Sequence, residues 1–297
     1  MTVGVIINPV SGRRGRRAGE GDARAALAQR TLQARGIDAE IAVTWSSGHG
    51  AELAARFLAA GADLVVAWGG DGTINEVAGP LIASRAALGI VPSGSGDGLA
   101  LGLGLPSHPV RALEVALSGQ ARPMDVGFLG SRHFLNVAGI GFDAVVADAF
   151  NRRGKRGALS YVTRGLSLVW SYRSPAYEID LDGQVLSGER FLIGFANAPE
   201  YGNHLVLDQD ADPYDGWLNA VVADPGPPLA QIWRARRLAI HPGRPAAGIH
   251  RMRVKRARIA GDDLTCHVDG EAFQVSGTVE VQVKAGAVNV VTSKRSK

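Results

Sequence analysis

Residues 69–75 read Gly-Gly-Asp-Gly-Thr-Ile-Asn. They follow the apolar run Leu64-Val65-Val66-Ala67-Trp68 and lead into Glu76-Val77-Ala78. An unbroken apolar run reads as a strand covered on both faces, and the stretch after the glycines reads as a helix. Gly69, Gly70 and Gly72 carry no Cβ, so backbone N–H groups can approach an anion and φ can turn positive. A helix start adds free N–H donors and a partial positive charge. Asp71 is the residue that needs explaining, because a bare carboxylate would repel an anion. It fits once a metal ion or a transferring proton lies between the two. The segment therefore implies a kinase-type site for a nucleotide and Mg²⁺. A plain strand-to-helix turn needs fewer glycines than the three that surround this aspartate.

The length of 297 residues suits one large or two medium domains, and 46% hydrophobic residues allow a substantial core. No apolar stretch approaches the ~18 residues of a membrane span. The first residues, Met1-Thr2-Val3-Gly4-Val5-Ile6-Ile7, have no basic n-region and read as a strand rather than a signal peptide. The single cysteine, Cys266, excludes an internal disulfide and fits a reducing, cytoplasmic setting. Residues 1–125 hold 11 basic and 11 acidic residues, while residues 126–297 hold 21 and 17. The net charge of +4 thus belongs to the second half. It hints at an anionic surface and is too small to imply nucleic acid.

The first half alternates strand and helix patterns. Strands are expected at Val3–Ile7, Ile37–Val43, Leu64–Trp68 and Ala87–Val91. Helices are expected at Arg16–Arg35, Gly50–Ala60, Thr73–Ile82 and Pro109–Ser118, with a turn or helix opening at Ser95–Leu101. That alternation implies a parallel sheet with covered faces, whose ligands sit at the carboxyl ends of the strands. The glycine-rich motifs follow Ile7, Trp68 and Val91, which is that edge. From about Arg122 the pattern becomes short alternating runs: Tyr177–Leu181, Phe191–Ala196, Trp217–Val222, Arg251–Ile259, Thr265–Val268, Val279–Val283 and Val288–Val291. Turns at Asp182-Gly183, Asp215-Gly216 and Asp269-Gly270 punctuate them. An antiparallel β-sandwich is expected there, with helices near Leu159–Tyr172 and Leu229–Leu238. The division is drawn as residues 1–123 and 124–297.

Four motifs stand in order: Asn8-Pro9-Val10-Ser11-Gly12, residues 69–76 ending in Glu76, Pro92-Ser93-Gly94-Ser95-Gly96-Asp97-Gly98, and Asp269-Gly270-Glu271. Together they resemble the diacylglycerol kinase catalytic family, which includes sphingosine kinases, ceramide kinase and bacterial YegS-type lipid kinases. The second motif alone is shared with NAD kinases and phosphofructokinases. Leu103-Gly104-Leu105-Pro106, Met124-Asp125-Val126-Gly127, Asn136–Asp143 and the basic segment Arg152–Tyr161 extend the likeness over nearly the whole chain. The resemblance implies an α/β domain with a parallel sheet, an antiparallel β-sandwich domain, and ATP in the cleft between them.

It also assigns roles. Glu271 is similar to the family's general base, which takes the proton of an acceptor hydroxyl, and Asp71 supports Mg²⁺ or orients that hydroxyl. Asp269 is a secondary candidate. Asn8, Ser11, Thr44, Gly69, Gly70, Asp71, Gly72, Thr73, Ile74, Asn75 and Ser95 are the positions implied to hold the nucleotide. An Asn-Pro turn explains Asn8 equally, and a helix cap explains Thr44. Asp212, Asp215 and Trp217 match positions where bacterial members bind a second Mg²⁺, through one carboxylate and backbone carbonyls. An acidic surface loop is the alternative. Asp97 departs from the family, which usually has asparagine; a carboxylate cannot donate to phosphate. Gly94-Ser95-Gly96 looks closer to sphingosine kinases, and Asp143 or Asp148 is a candidate partner for a sphingoid amine.

The expected partner is a lipid at a membrane surface, met peripherally from the cytoplasmic side. Arg152, Arg153, Lys155 and Arg156 form one basic cluster, and Arg251, Arg253 and Lys255 share one face of a strand. A solvated strand face is the alternative for the latter. Cys266 and His267 are adjacent strand residues that point to opposite faces, not a nucleophile pair. The acceptor lipid and the oligomeric state, a homodimer included, are open. The competing functions are an NAD kinase-like enzyme with a soluble acceptor and a nucleotide-binding protein without turnover.

Overall fold

The computed structural model describes residues 1–12, 19–151, 164–202, 205–240 and 245–293. The basic cluster Arg152, Arg153, Lys155 and Arg156 lies outside the described residues, as does the start of the helix expected from Arg16. The chain divides into two compact units: Met1–Met124 together with the residues from Gly286 on, and Asp125–Ala285.

Unit one is built on parallel strands β1 (Val3–Ile7), β2 (Ala39–Val43), β3 (Leu64–Gly69) and β4 (Ala87–Pro92), in the order β4-β3-β1-β2. Helices α1 (Glu20–Gln33), α2 (His49–Ala59), α3 (Asp71–Leu81), α4 (Gly98–Gly102) and α5 (Pro109–Ser118) connect or cover them. The β1 and β3 strands are buried along their whole lengths. Their uninterrupted Val, Ile, Leu and Trp content is what two covered faces require. Leu32 of α1 and Leu113 of α5 pack against Val5, Val66 and Trp68 in one apolar cluster. Each such buried side chain contributes about 1.5–3 kcal/mol relative to exposure.

Unit two contains β5 (Gln120–Leu129, which begins in unit one), β6 (Arg132–Phe134), β7 (Val137–Gly141), helix α6 (Phe142–Asn151), β8 (Ala176–Leu181), β9 (Gln184–Glu189), β10 (Leu192–Ala196), β11 (Glu200–Gly202), β12 (Leu205–Val206) and β13 (Leu218–Ala223). Helix α7 (Pro228–Ile240) and strands β14 (Ile249–Val254), β15 (Arg256–Val268) and β16 (Glu271–Thr292) complete it. One path runs β14-β13-β10-β7-β15-β16, antiparallel throughout. β15 pairs with β8 through Ala257–Ala260 and with β7 through Cys266–Val268, so it passes from one sheet to the other. That switch makes a β-sandwich, whose core holds Phe134, Ile140, Ile179, Phe195, Ile259 and Leu264.

Three expectations need correction. Arg251–Ile259 is not one strand: Lys255 separates β14 from β15 and donates its backbone N–H to Asp182 Oδ2. Val288–Val291 is the end of the 22-residue strand β16 and pairs in parallel with β4, at Asn289↔Ala87 and Val290↔Leu88. It belongs to the parallel sheet of unit one rather than to the sandwich. The helix expected at Thr73 starts two residues earlier, at Asp71.

Candidate active site

The parallel register brings the first three motifs level. Ile7 pairs with Val43 and with Trp68, and Trp68 pairs with Val91. Asn8, Thr44, Gly69 and Pro92 therefore leave the sheet at one edge. Bonds between neighbouring loops hold them there: Asn8 N–H donates to Trp68 O at 2.9 Å, Thr44 N–H to Ile7 O at 2.8 Å, and Ser93 N–H to Gly69 O at 2.8 Å. Gly70 and Gly94 touch backbone to backbone, since a Cβ on Gly94 would lie 2.7 Å from Gly70 Cα. Gly12 has φ +72, and a Cβ there would run into Ser93 O. These glycines bring the loop after β1, the turn after β3 and the loop after β4 together around the first turn of α3.

Several of these side chains hold the loops to one another. Asn8 Nδ2 donates to Thr73 Oγ1 at 2.8 Å, and Asn8 Oδ1 accepts from Val10 N–H at 3.0 Å, closing a local turn. The Ser11 hydroxyl is buried and lies 2.7 Å from Ser93 Oγ. Ile74 is fully buried, and its N–H is spent on Gly70 O. Asn8, Ser11, Thr73 and Ile74 therefore shape the loops. Thr44 is buried directly beyond β2, Asn75 lies on α3 and Ser95 is exposed between two glycines.

Arg24 is the residue that sequence reasoning missed. It is 6% exposed, and its guanidinium reaches under the loop after β1. Nη1 donates to Asn8 O at 2.7 Å and to Ser11 Oγ at 2.6 Å, while Nη2 donates to Ser11 O at 3.0 Å. Nε donates to Glu20 Oε1 at 3.2 Å. One planar fork satisfies both carbonyls of the loop and neutralises its charge on Glu20. Ala-Arg-Ala within an alanine-rich helix carries no sign of this, because such an arginine is usually solvated.

Asp71 heads α3 and accepts Leu99 N–H from α4 at 3.3 Å. Asp97, in the left-handed region at φ 47, accepts Gly94 N–H at 2.8 Å. Burial first, and the Asp71 charge second, push the Asp97 carboxyl up to about 7. The two carboxylates thus lie close enough to repel each other. Glu76 accepts Gly48 N–H at 2.8 Å and Gly50 N–H at 3.2 Å, tying α3 to the start of α2.

In unit two, Asp269-Gly270 makes the two-residue turn between β15 and β16, with φ 47 and 87. The Asp269 carboxylate accepts three backbone N–H groups: Leu135 at 2.9 Å, and Asn136 and Val137 at 3.0 Å each. Asp269 is thus an anchor, and the secondary catalytic role considered for it is replaced by a positioning one. Glu271, the next residue but one, is exposed at the first position of β16. Asn151 Nδ2 donates to Gly270 O at 3.1 Å on the other side of the turn.

Behind the turn lies a buried polar cluster. His267 is fully buried, with Nε2 3.1 Å from Asp143 Oδ2. Tyr201 donates its hydroxyl to the same oxygen at 2.9 Å and also meets His267 Nε2. Asp143 is thereby occupied inside the fold, and the sphingoid-amine role considered for it is not supported. Burial, then the Asp143 charge, pushes the Cys266 thiol up to about 12. That thiol stays neutral and is no nucleophile.

The acidic loop commits its carboxylates unequally. Asp212 Oδ1 accepts Tyr214 N–H at 3.1 Å, and Oδ2 has no partner among the described residues. The Asp215 carboxylate is committed: Oδ1 accepts Trp217 N–H at 2.9 Å and Oδ2 pairs with Arg253 at 2.6 Å. The Arg253 guanidinium and the Lys255 ammonium lie over the Trp217 ring, so these two basic residues, one at the end of β14 and one just beyond it, serve this loop.

Residues 2–129 match the diacylglycerol kinase catalytic domain, and residues 136–292 match the YegS C-terminal NAD kinase beta sandwich-like domain. The "Probable lipid kinase YegS-like" of Chromohalobacter salexigens is 36% identical over 188 residues, 61% of this chain and 60% of that one. Its counterpart in Pseudomonas putida is 33% identical over 212 residues, 70% of this chain and 71% of that one. The diacylglycerol kinase of Bacillus subtilis is 28% identical over 277 residues, 90% of this chain and 88% of that one. A crystal structure of a diacylglycerol kinase from Bacillus anthracis has the same fold, with a TM-score of 0.77 at 21% identity, covering 98% of this chain and 97% of that one. With both domain matches in place along one chain, this protein belongs to the family of diacylglycerol kinases and YegS-like lipid kinases.

Proposed function

We propose that this chain is an ATP- and Mg²⁺-dependent kinase that phosphorylates a hydroxyl group of a lipid. The observation that carries the reading is the glycine contact between Gly70 and Gly94 beside Asp71, which fits a phosphate chain and its metal. Bound Mg²⁺-ATP supplies the transferable γ-phosphoryl group. The N–H groups that open α3 and the Ser95 hydroxyl cradle the phosphates, Asp71 holds the cation, and Thr44 closes the far side of the nucleotide site. Asp212, with the Asp215 and Trp217 carbonyls, holds a second, structural Mg²⁺. Glu271 accepts the proton of the lipid hydroxyl, and its exposed position on a turn pinned by Asp269 suits a base that must meet a substrate. Diacylglycerol and sphingoid bases are the acceptor classes that fit the family; the setting is the cytoplasmic membrane face.

The test is transfer of the labelled γ-phosphate of ATP, with Mg²⁺, into a panel of lipids in mixed micelles, with NAD as a parallel acceptor. Label in one lipid class is the expected result. Label in NAD alone would replace the lipid reading by the NAD kinase-like one, and nucleotide binding without transfer to any acceptor would favour a protein that has lost turnover. Glu271→Gln should remove transfer and leave nucleotide binding intact; full activity in that variant excludes Glu271 from the reaction.

A further inference from the structure

Two helical segments of unit two carry the same outward pattern. Residues 164–168 are helical and close in a turn through Ser171, where Tyr172 N–H donates to Leu168 O, so Leu166 and Trp170 stand four residues apart across the helix end; in α7 Leu229 and Trp233 have the same spacing. That spacing puts each leucine and tryptophan on one helix face. All four are exposed, at 44%, 63%, 69% and 51%. The residues beside them point inward: Val169 and Ile232 both join the small apolar cluster on Phe191 and Ala223. The two segments therefore cover one patch of the sandwich, and each turns a Leu–Trp pair away from it. Large apolar side chains grouped in this way mark an interaction surface, whereas single ones do not.

The charge around them names the partner. The two segments, 164–173 and 228–240, hold five arginines and no acidic residue. Arg173 and Arg236 are exposed, and the Arg237 guanidinium lies 5.3 Å from the centre of the Trp233 ring. Tryptophan and leucine flanked by arginine is the pattern of segments that lie in a lipid interface, with rings at headgroup depth and guanidinium groups on anionic headgroups. A second copy of this chain fits poorly, because a symmetric contact would set arginine against arginine. No helix among the described residues is long and apolar enough to cross a bilayer.

We propose that Leu166, Trp170, Leu229 and Trp233, flanked along the chain by the exposed Arg173 and Arg236, form a docking surface for an anionic lipid bilayer. The inference extends the lipid-kinase reading, but docking is measured without turnover, so each can fail alone. The experiment is binding of the full chain to vesicles of phosphatidylcholine with about 30 mol% phosphatidylglycerol, compared with phosphatidylcholine alone, using brominated lipids to quench tryptophan. The wild type should bind the anionic vesicles and be quenched. Trp170→Ser/Trp233→Ser should bind about tenfold or more weakly and lose most of the quenching, since Trp45, Trp68 and Trp217 remain as internal reporters. Arg173→Ala/Arg236→Ala should weaken binding and flatten its salt dependence. Unchanged melting temperatures would show that both variants fold. The proposal is overturned if the wild type ignores the vesicles, if the tryptophan variant binds as tightly as the wild type, or if that variant loses only self-association in light scattering.

Discussion

The Arg24 guanidinium donates to the Ser11 hydroxyl at 2.6 Å, from a helix whose composition shows no functional feature. That contact joins the loop after β1 to α1, and the Asn8 and Ser11 carbonyls share the same fork. Arg24→Met removes the donors and leaves these buried acceptors unsatisfied, a cost of about 2–4 kcal/mol. The loop would loosen rather than lose a ligand, so the KM for ATP should rise well before kcat falls. Arg24→Lys keeps the charge without the fork and should fall between the two. Thermal denaturation and steady-state kinetics on the three proteins test this order.

Asp97 gives the fold a pH dependence of known sign. Its carboxyl is raised from 3.8 to about 7, so the ionised form is disfavoured in the folded state. The group costs nothing while protonated, below about pH 4, and costs progressively more as the pH rises through about 7. Asp97→Asn keeps the oxygen that accepts Gly94 N–H and drops the charge beside Asp71. The variant should melt higher than the wild type, by about 1–2 kcal/mol of stability above pH ~8, with the gap closing towards pH ~4. It should also bind ATP more tightly at the higher pH. Melting curves across that range, without metal or nucleotide, would contradict the assignment if the gap stayed constant.

What was legible in the sequence was what local patterns encode. The unbroken apolar runs Val3–Ile7 and Leu64–Trp68 announced a two-sided parallel sheet, and the glycine-rich motifs announced the edge at which its loops gather. Asp269-Gly270 announced a hairpin turn. Roles that depend on distant partners were not legible. Nothing near Arg24 shows that Asn8 and Ser11 lie over it, and nothing near Val288 shows that β16 returns to pair with Ala87 and Leu88. Asn8 and Ser11 read as ligand groups because their types suit one, and their loop-holding contacts to Thr73 and Ser93 were not legible, because those partners lie far along the chain.

The turn between β15 and β16 sets an anchor, Asp269, beside the proposed base, Glu271. Asp269 accepts three backbone N–H groups, and an asparagine there would turn an NH₂ towards one of them. Asp269→Asn should therefore cost about 2–3 kcal/mol of stability and lower activity through misplacement of Glu271. Glu271→Gln touches no such network and should leave the melting temperature unchanged while removing turnover. Equal destabilisation by both variants would mean that Glu271 is structural.

Gly139 sits against the buried cluster of Asp143, His267 and Tyr201. A Cβ there would collide with the Asp143 carboxylate and lie 2.7 Å from His267 Nε2. Both groups are enclosed, His267 completely, so neither can retreat into solvent. Gly139→Ala should force the carboxylate away from the imidazole and leave a buried charge poorly paired, at about 3–5 kcal/mol. Its neighbour strands β10 and β15 pair on either side of Gly139, so the disturbance has a direct route to the turn that presents Glu271. Loss of amide-exchange protection in β7 and β15, with the exchange of β1 and β3 unchanged, would locate the damage in unit two. A variant as stable as the wild type would show that the cluster has room that the Gly139 contacts deny.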